Sequence, residues 1–363
     1  MKKICHVVEE LRIGGLERTV IQIASGLERS LYSQEIWCLR EKGVLAEEAE
    51  NKGIAVKQFD FQGGISLPKI IKLADELKRG KFQIVHSHDI YPSVWAIAAA
   101  AFAGVPYKIM HCQSTYYALP FKDKIKLKLL SLFIDRFIAV SKAVKLSLEK
   151  CALISAKKIE VVYNCCARFN RSPEQKVPET LREFGIKEGD FVIASISRLE
   201  AHKGHSYLVE ALSGLKDVQG LKCLIIGDGP AKRDLELLCE SLGVKGEVIF
   251  TGMRSDISRI LSVASVYVQP SALREGLPLT LAEAASAGLP LIATNIGGNP
   301  EIVRDPVNGF IVEPKDPQAL AEKILYLRNN PEKRKSMGEN SQKLWRESFS
   351  EEVMLGKIRK IYE

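Results

Sequence analysis

Along the chain, short apolar runs alternate with longer stretches of helical periodicity. Residues 3–8, 34–39, 54–59, 84–87, 108–111, 136–140 and 159–162 read as strands. Helical patterns fall at 16–30 and near 44–52, 68–79 and 92–103. Residues 165–190, which include Asn170, Arg171, Ser172, Pro173 and Pro178, break the rhythm and read as a connection between domains. A second series follows, with strands at 191–196, 221–226, 248–250, 266–269, 290–293 and 310–312. The tail 332–363 reads as helix, with breaks around Gly338 and at Phe349-Ser350. Repeated βαβ units predict an α/β fold of two parallel, doubly wound sheets. The expected division is two Rossmann-like domains, 1–167 and 168–344, facing across a central cleft. In such sheets ligands bind at the carboxyl ends of the strands.

Length agrees with that division, because 363 residues suit two domains. With 46% apolar and 26% charged residues, the composition is that of a globular protein and excludes disorder and fibrous repeats. No apolar run is long enough to predict a spanning helix. Met1–Val8 is followed by Glu9 and Glu10 and reads as a buried first strand, not as a signal peptide. The eight cysteines, 5, 38, 112, 151, 165, 166, 223 and 239, are scattered and contain no CxxC spacing. Reduced thiols in a cytoplasmic protein are the expectation.

Charge changes the picture more. Residues 1–170 carry 26 Lys/Arg against 17 Asp/Glu, whereas the remainder carries 26 against 27. Residues 122–158 alone hold 10 basic and 3 acidic side chains. Such asymmetry points to an anionic partner. Within this stretch Leu129, Leu130, Phe133 and Phe137 continue a helical stripe, with Lys122, Lys124, Lys126 and Lys128 around it. Two readings stand: a solvated helix packed by its apolar face, or a surface helix that touches anionic lipid. Nucleic acid is not an expected partner, since aromatics are sparse here and no binding module is recognisable.

The candidate chemistry gathers at strand ends. Glu275 and Glu283 lie eight residues apart, the first before a helix and the second inside it. Pro278 suits a first helical turn, and Gly276 lets backbone approach a ligand. An uncapped helix start offers N–H groups to phosphate. Arg198 and Lys203 follow strand 191–196 and are two cations able to hold a diphosphate. Gly14-Gly15 joins the first strand to its helix without a GxGxxG fingerprint, and Gly227-Asp228-Gly229-Pro230 follows another strand. His86 and His88 form a His-x-His pair for which no third metal ligand is evident, and His111 ends a strand where the cleft is expected. There is no Asp-x-Asp to hold Mg²⁺ on a diphosphate, so Arg198 and Lys203 are the expected substitutes.

Together these segments resemble family 4 retaining glycosyltransferases, whose signature E-x7-E is matched by Glu275 and Glu283. Gly14-Gly15-Leu16-Glu17, Val161-Val162-Tyr163-Asn164, Ser197-Arg198, Lys203-Gly204 and Phe250-Thr251-Gly252 agree in order and spacing, as does Gly297-Gly298-Asn299-Pro300-Glu301. The resemblance implies the GT-B fold and transfer of a hexose or N-acetylhexosamine from a nucleotide-diphosphate sugar, a UDP-sugar by preference. It further implies retention of configuration and no metal or other cofactor. By the same resemblance Glu283 bonds the ribose, Glu275 and His111 contact the donor sugar, and Gly276 and Leu277 offer backbone N–H groups. Leu279 and Thr280 approach the diphosphate, Arg198 and Lys203 neutralise it, Gly15 and the glycines 227 and 229 line it, and Met253 and Arg254 meet the base. Asn164-Cys165-Cys166-Ala167 departs from the Asn-Gly-Val-Asp of relatives, so no catalytic residue is drawn from it. In this fold the last helix, near 345–363, crosses back to the first domain.

The basic stretch then suggests a lipid-linked or polysaccharide acceptor in cell-surface glycan assembly, with Lys122, Lys124, Lys126 and Lys128 at the inner face of the membrane. The alternatives are a nucleotide-sugar 2-epimerase of the same architecture, a catalytically silent binding module and a pyridoxal-phosphate phosphorylase.

Overall fold

The computed structural model describes residues 1–170 and 177–363 and resolves two compact units. Unit 1 is Met1–Cys165 with Glu351–Glu363, and unit 2 is Cys166–Ser350. The passage between them thus falls two residues before the division read from the sequence, and residues 345–350 stay with unit 2.

Unit 1 alternates β1 (Lys2–Val8), α1 (Gly15–Gly26), β2 (Tyr32–Cys38), α2 (Ala46–Asn51), β3 (Ala55–Gln58), α3 (Leu67–Gly80) and β4 (Ile84–His88). It continues through α4 (Ile90–Ala103), β5 (Tyr107–Cys112), α5 (Phe121–Leu130), β6 (Arg136–Ala139), α6 (Lys142–Ala152) and β7 (Ile159–Val161). All seven strands pair in parallel, in the order β3-β2-β1-β4-β5-β6-β7. Alternation along β1 sends Cys5 and Val7 into one core with Trp37, Phe59 and Trp95. It sends Ile4 into another with Ile84, Ile109 and Ile138.

Unit 2 runs α7 (Val177–Glu183), β8 (Phe191–Ile196), α8 (His205–Ser213), β9 (Leu221–Ile226), α9 (Lys232–Leu242) and β10 (Val248–Gly252). Then come α10 (Ile257–Leu261), β11 (Val266–Gln269), α11 (Leu279–Ser286), β12 (Leu291–Thr294), α12 (Asn299–Ile302), β13 (Gly309–Val312), α13 (Pro317–Asn329) and α14 (Pro331–Ser348). Its six strands are also parallel, ordered β10-β9-β8-β11-β12-β13. Strand β8 is buried at every position, as a central parallel strand covered on both faces must be. The last helix, α15 (Glu351–Tyr362), belongs to unit 1, where Met354, Ile358 and Tyr362 fill the core beside Ile4 and Ile84.

Three expectations need correction. The connection at 165–190 contains α7, whose Glu183 pairs with Arg254 and Arg259 at 2.9 Å each; residues 171–176 of that stretch lie outside the described residues. Gly338 does not break the tail but sits buried within α14. It is glycine because a Cβ there would come 2.1 Å from the Gly288 carbonyl oxygen, where α14 presses on the end of α11. The stripe from 121 to 137 is not one packed helix. It ends at Leu130, Phe137 belongs to β6, and within α5 only Leu127 is buried.

All eight cysteines are free thiols, and every one but Cys151 is buried. No described helix is long and apolar enough to cross a membrane.

Candidate active site

The loop between β11 and α11 carries Glu275, which is only 6% exposed. A buried carboxylate needs donors. Its Oε1 accepts from the Ser271 hydroxyl at 2.6 Å, from the Lys203 ammonium at 2.7 Å and from the Gln269 amide at 3.4 Å. Gln269 is itself fixed, donating to Ser271 Oγ at 2.9 Å and accepting from the Tyr267 hydroxyl at 3.1 Å. Burial pushes the Tyr267 hydroxyl pKa up, and the nearby Glu283 and Glu275 charges push it the same way. Glu275 is thus fixed at the carboxyl end of β11.

Lys203 arrives from a separate loop, after β8. That loop is pinned by Ala272 and Leu273, whose N–H groups donate to the His202 carbonyl at 2.9 and 3.1 Å. Gly204 closes it at φ +73°, where a Cβ would stand 2.0 Å from the Pro270 carbonyl oxygen. Only glycine tolerates both constraints. Gly227, at φ +134°, does the same on the other side, with its Cβ position 1.9 Å from the Ser197 oxygen, and Gly229 packs likewise on Leu199. The sequence suggested that these glycines make room for a ligand; their immediate neighbour is the β8 loop.

Each of the two cations, Arg198 and Lys203, has a carboxylate partner. Lys203 is taken by Glu275, whereas Arg198, 73% exposed, pairs with Glu200 at 2.7 Å. Glu200 also faces His202 at 3.1 Å; burial and then the neighbouring Lys203 charge lower the His202 pKa.

Helix α11 begins at Leu279 behind Pro278, and no side chain caps it. Leu279, Thr280 and Glu283 are half-buried along it, and Thr280 Oγ1 lies 3.5 Å from Gln269 Oε1. Gly276 is half-buried; Leu277 turns its side chain into the core. Met253 is 81% exposed. Arg254 beside it is held by Asp256 at 2.7 and 2.8 Å and by Glu183 at 2.9 Å, so it braces α7 against the segment before α10.

In unit 1, Gly15 is exposed as the first residue of α1, and its carbonyl accepts from Thr19 Oγ1 at 2.9 Å. His111 does not face open space. It is fully buried, its ring 5.3 and 5.4 Å from those of His86 and His88. The register of β5 against β4, which sets His111 opposite His88, is the reason. A third imidazole does stand beside His86 and His88: it is His6, from β1, which sequence spacing could not bring to them. On α5, Lys126 pairs with Asp123 at 3.0 Å and Lys128 donates to the Leu153 carbonyl at 2.5 Å. Lys122 is exposed and Lys124 half-buried. Sequence reading did not pick out Gln269, Ser271 or Tyr267; the alternation that puts 267 and 269 on one face of β11 was the available signal.

Comparison with known proteins adds the following. The family model described as "Glycosyl transferases group 1" matches residues 176–344, and that described as "Glycosyltransferase Family 4" matches residues 13–166. The UDP-Gal:alpha-D-GlcNAc-diphosphoundecaprenol alpha-1,3-galactosyltransferase of Escherichia coli is 29% identical over 86% of this chain and 84% of its own. A solved glycosyltransferase from Rickettsia africae ESF-5 superposes with a TM-score of 0.89 at 25% identity, covering 99% of this chain and 97% of that one. Anabaena HepE, solved in complex with UDP, also gives a TM-score of 0.89, at 21% identity and with 100% and 99% covered.

Proposed function

The chain belongs to the family 4 glycosyltransferases, with their GT-B fold, and from that premise we propose that it moves a hexose or N-acetylhexosamine, with retention, from a UDP-sugar to a hydroxyl of a lipid-linked or polysaccharide acceptor. The family and relatives such as the galactosyltransferase above support a transferase of glycan biosynthesis and do not favour an epimerase.

The observation that carries the finer reading is the buried Lys203–Glu275 pair at the uncapped start of α11. Glu275, fixed by Ser271 and Gln269, presents a carboxylate to sugar hydroxyls. Glu283, half-buried inside α11, serves the ribose in the same way. As the bond from the anomeric carbon to phosphate breaks, negative charge grows on the departing diphosphate. Lys203, Arg198 and the N–H groups of Leu279 and Thr280 stabilise it in place of a divalent ion. The acceptor hydroxyl attacks the same face, and the leaving phosphate oxygen takes its proton. UDP is favoured because the galactosyltransferase relative carries a UDP-sugar in its name. The test is turnover with UDP-, GDP- and ADP-sugars on an undecaprenyl-diphosphate-sugar acceptor without added divalent metal, with the product anomer read by NMR. A product of inverted configuration, or turnover that needs added Mg²⁺, overturns this reading.

The acceptor reading is supported by α5 and the turn after it. Phe121 (77% exposed), Ile125, Leu129, Leu132 and Phe133 stand in solvent among Lys122, Lys124, Lys126 and Lys128. Apolar side chains among lysines suit the surface of an anionic membrane and support a peripheral place on its cytoplasmic face. Each lysine contributes about 1 kcal/mol there. Replacing all four lysines with glutamate is therefore expected to weaken binding to anionic vesicles by at least roughly 100-fold, measured by co-sedimentation against neutral vesicles. Equal binding by parent and variant removes the membrane from the account.

A further inference from the structure

The parallel register of unit 1 puts four histidines on one face of three neighbouring strands. His6 on β1 lies opposite His86 on β4, and His88 lies opposite His111 on β5. His86 and His88, two residues apart on a strand, share that face. All four are buried, with ring centroids 4.3 to 5.4 Å apart where they touch.

Hydrogen bonds decide which nitrogens carry lone pairs. The Gln34 amide nitrogen donates to the carbonyls of Ala24 at 2.8 Å and Ile23 at 3.3 Å. This turns its oxygen to His6 Nε2, 2.8 Å away. A carbonyl oxygen only accepts, so His6 Nε2 holds the proton. In the neutral ring this leaves Nδ1 bare. That Nδ1 accepts from His88 Nε2 at 3.2 Å, so ligation through Nε2 requires His88 to carry its proton on Nδ1 instead. His86 is held from behind, its Nδ1 2.6 Å from the Tyr362 hydroxyl of α15, and its buried Nε2 has no partner. One donor nitrogen from each of His6, His86 and His88 lies within 4.8 Å of the other two.

We propose that His6 Nδ1, His86 Nε2 and His88 Nε2 hold a divalent transition-metal ion of the zinc class, a structural ion that ties β1 to β4. Neutral imidazoles suit such ions. With Zn–N bonds of about 2.0–2.1 Å, two ligands of a tetrahedral site stand roughly 3.3 Å apart. The His6–His88 separation is already close to that, and a movement of His86 completes the trio. Gln34 and Tyr362 supply the outer hydrogen bonds that orient metal-bound imidazoles. His111, in ring contact with His86 and His88, stands outside this trio of donor nitrogens. The ion concerns the fold of unit 1 and does not depend on the chemistry assigned to unit 2.

The experiment uses the full chain without a histidine tag. Elemental analysis after desalting is expected to find about one zinc per chain, as one three-histidine cluster holds one ion. Zn²⁺ added to chelator-stripped chain is expected to raise its Tm, and Co²⁺ to give the visible d–d absorption of a low-symmetry nitrogen site. His6→Gln and His88→Gln should each lose the metal and the absorption. Zinc retained in full by the double variant overturns the proposal. Should the variants fail to fold, the parent decides: no d–d absorption and no Tm change with either ion overturns it equally.

Discussion

Lys203→Ala is expected to lower turnover by about 10²–10³-fold while leaving the chain folded, the loss typical of removing one preorganised stabiliser of transition-state charge. The size follows from where the ammonium is held. Lys203 is largely buried and anchored 2.7 Å from Glu275, on a loop whose Gly204 packs closely against the Pro270 carbonyl. It needs little reorganisation as charge develops on the leaving group. Glu275→Gln should cost at least as much, because it removes the carboxylate offered to the sugar and the charge that positions Lys203. Arg198, exposed and paired with Glu200, should cost less than Lys203. The measurement is kcat and KM for each variant, with Tm as a check on folding. A Lys203→Ala enzyme with a native Tm and a kcat within a few-fold of the parent refutes the role.

Mild acid is expected to destabilise unit 1 well before the carboxylates protonate. Burial pushes the His6 pKa down to about 4 and the His111 pKa down to about 3. His86 and His88 are also lowered, by burial first and then by neighbouring imidazoles. In the unfolded chain each titrates near 6.5. Between that value and the folded ones the unfolded state binds more protons, so stability is intact above pH 6.5 and is lost as pH falls toward 4. His6 alone accounts for about 3 kcal/mol across this window. Carboxylates held low by partners, such as Glu76 beside Lys57 and Asp256 beside Arg254, lose their contribution only at lower pH. Asp89, raised by burial, works in the opposite direction. For a unit of this size the Tm of chelator-treated protein should drop by roughly 10 °C between pH 7.5 and 5. The fluorescence of the buried Trp37 and Trp95 follows this unit. An unchanged Tm across that interval contradicts the argument.

The strands were legible because a parallel strand covered on both faces is a short apolar run, and β8, β9 and β11 fall on the residues the pattern marks. Helix α5 was legible as a helix but not in its environment. Periodicity reports which residues share a face, and here Phe121, Ile125 and Leu129 remain exposed. Gly338 misled because the same residue type serves both a break and a close helix contact. At the site, Glu275 and Glu283 could be seen in one stretch of sequence. The partner of Glu275 is 72 residues away, and no local spacing encodes that. The His6–His86 contact is set by register between β1 and β4, which only the folded sheet reveals.

That α15 completes unit 1 has a consequence for synthesis. Residues 166–350 form all of unit 2 and are synthesised before Met354, Ile358 and Tyr362. The domain begun first is therefore finished last. Until then, the sheet surface around Ile4, Ile84 and Ile109 stays bare, and a chain that lacks α15 presents a greasy, incomplete half to chaperones.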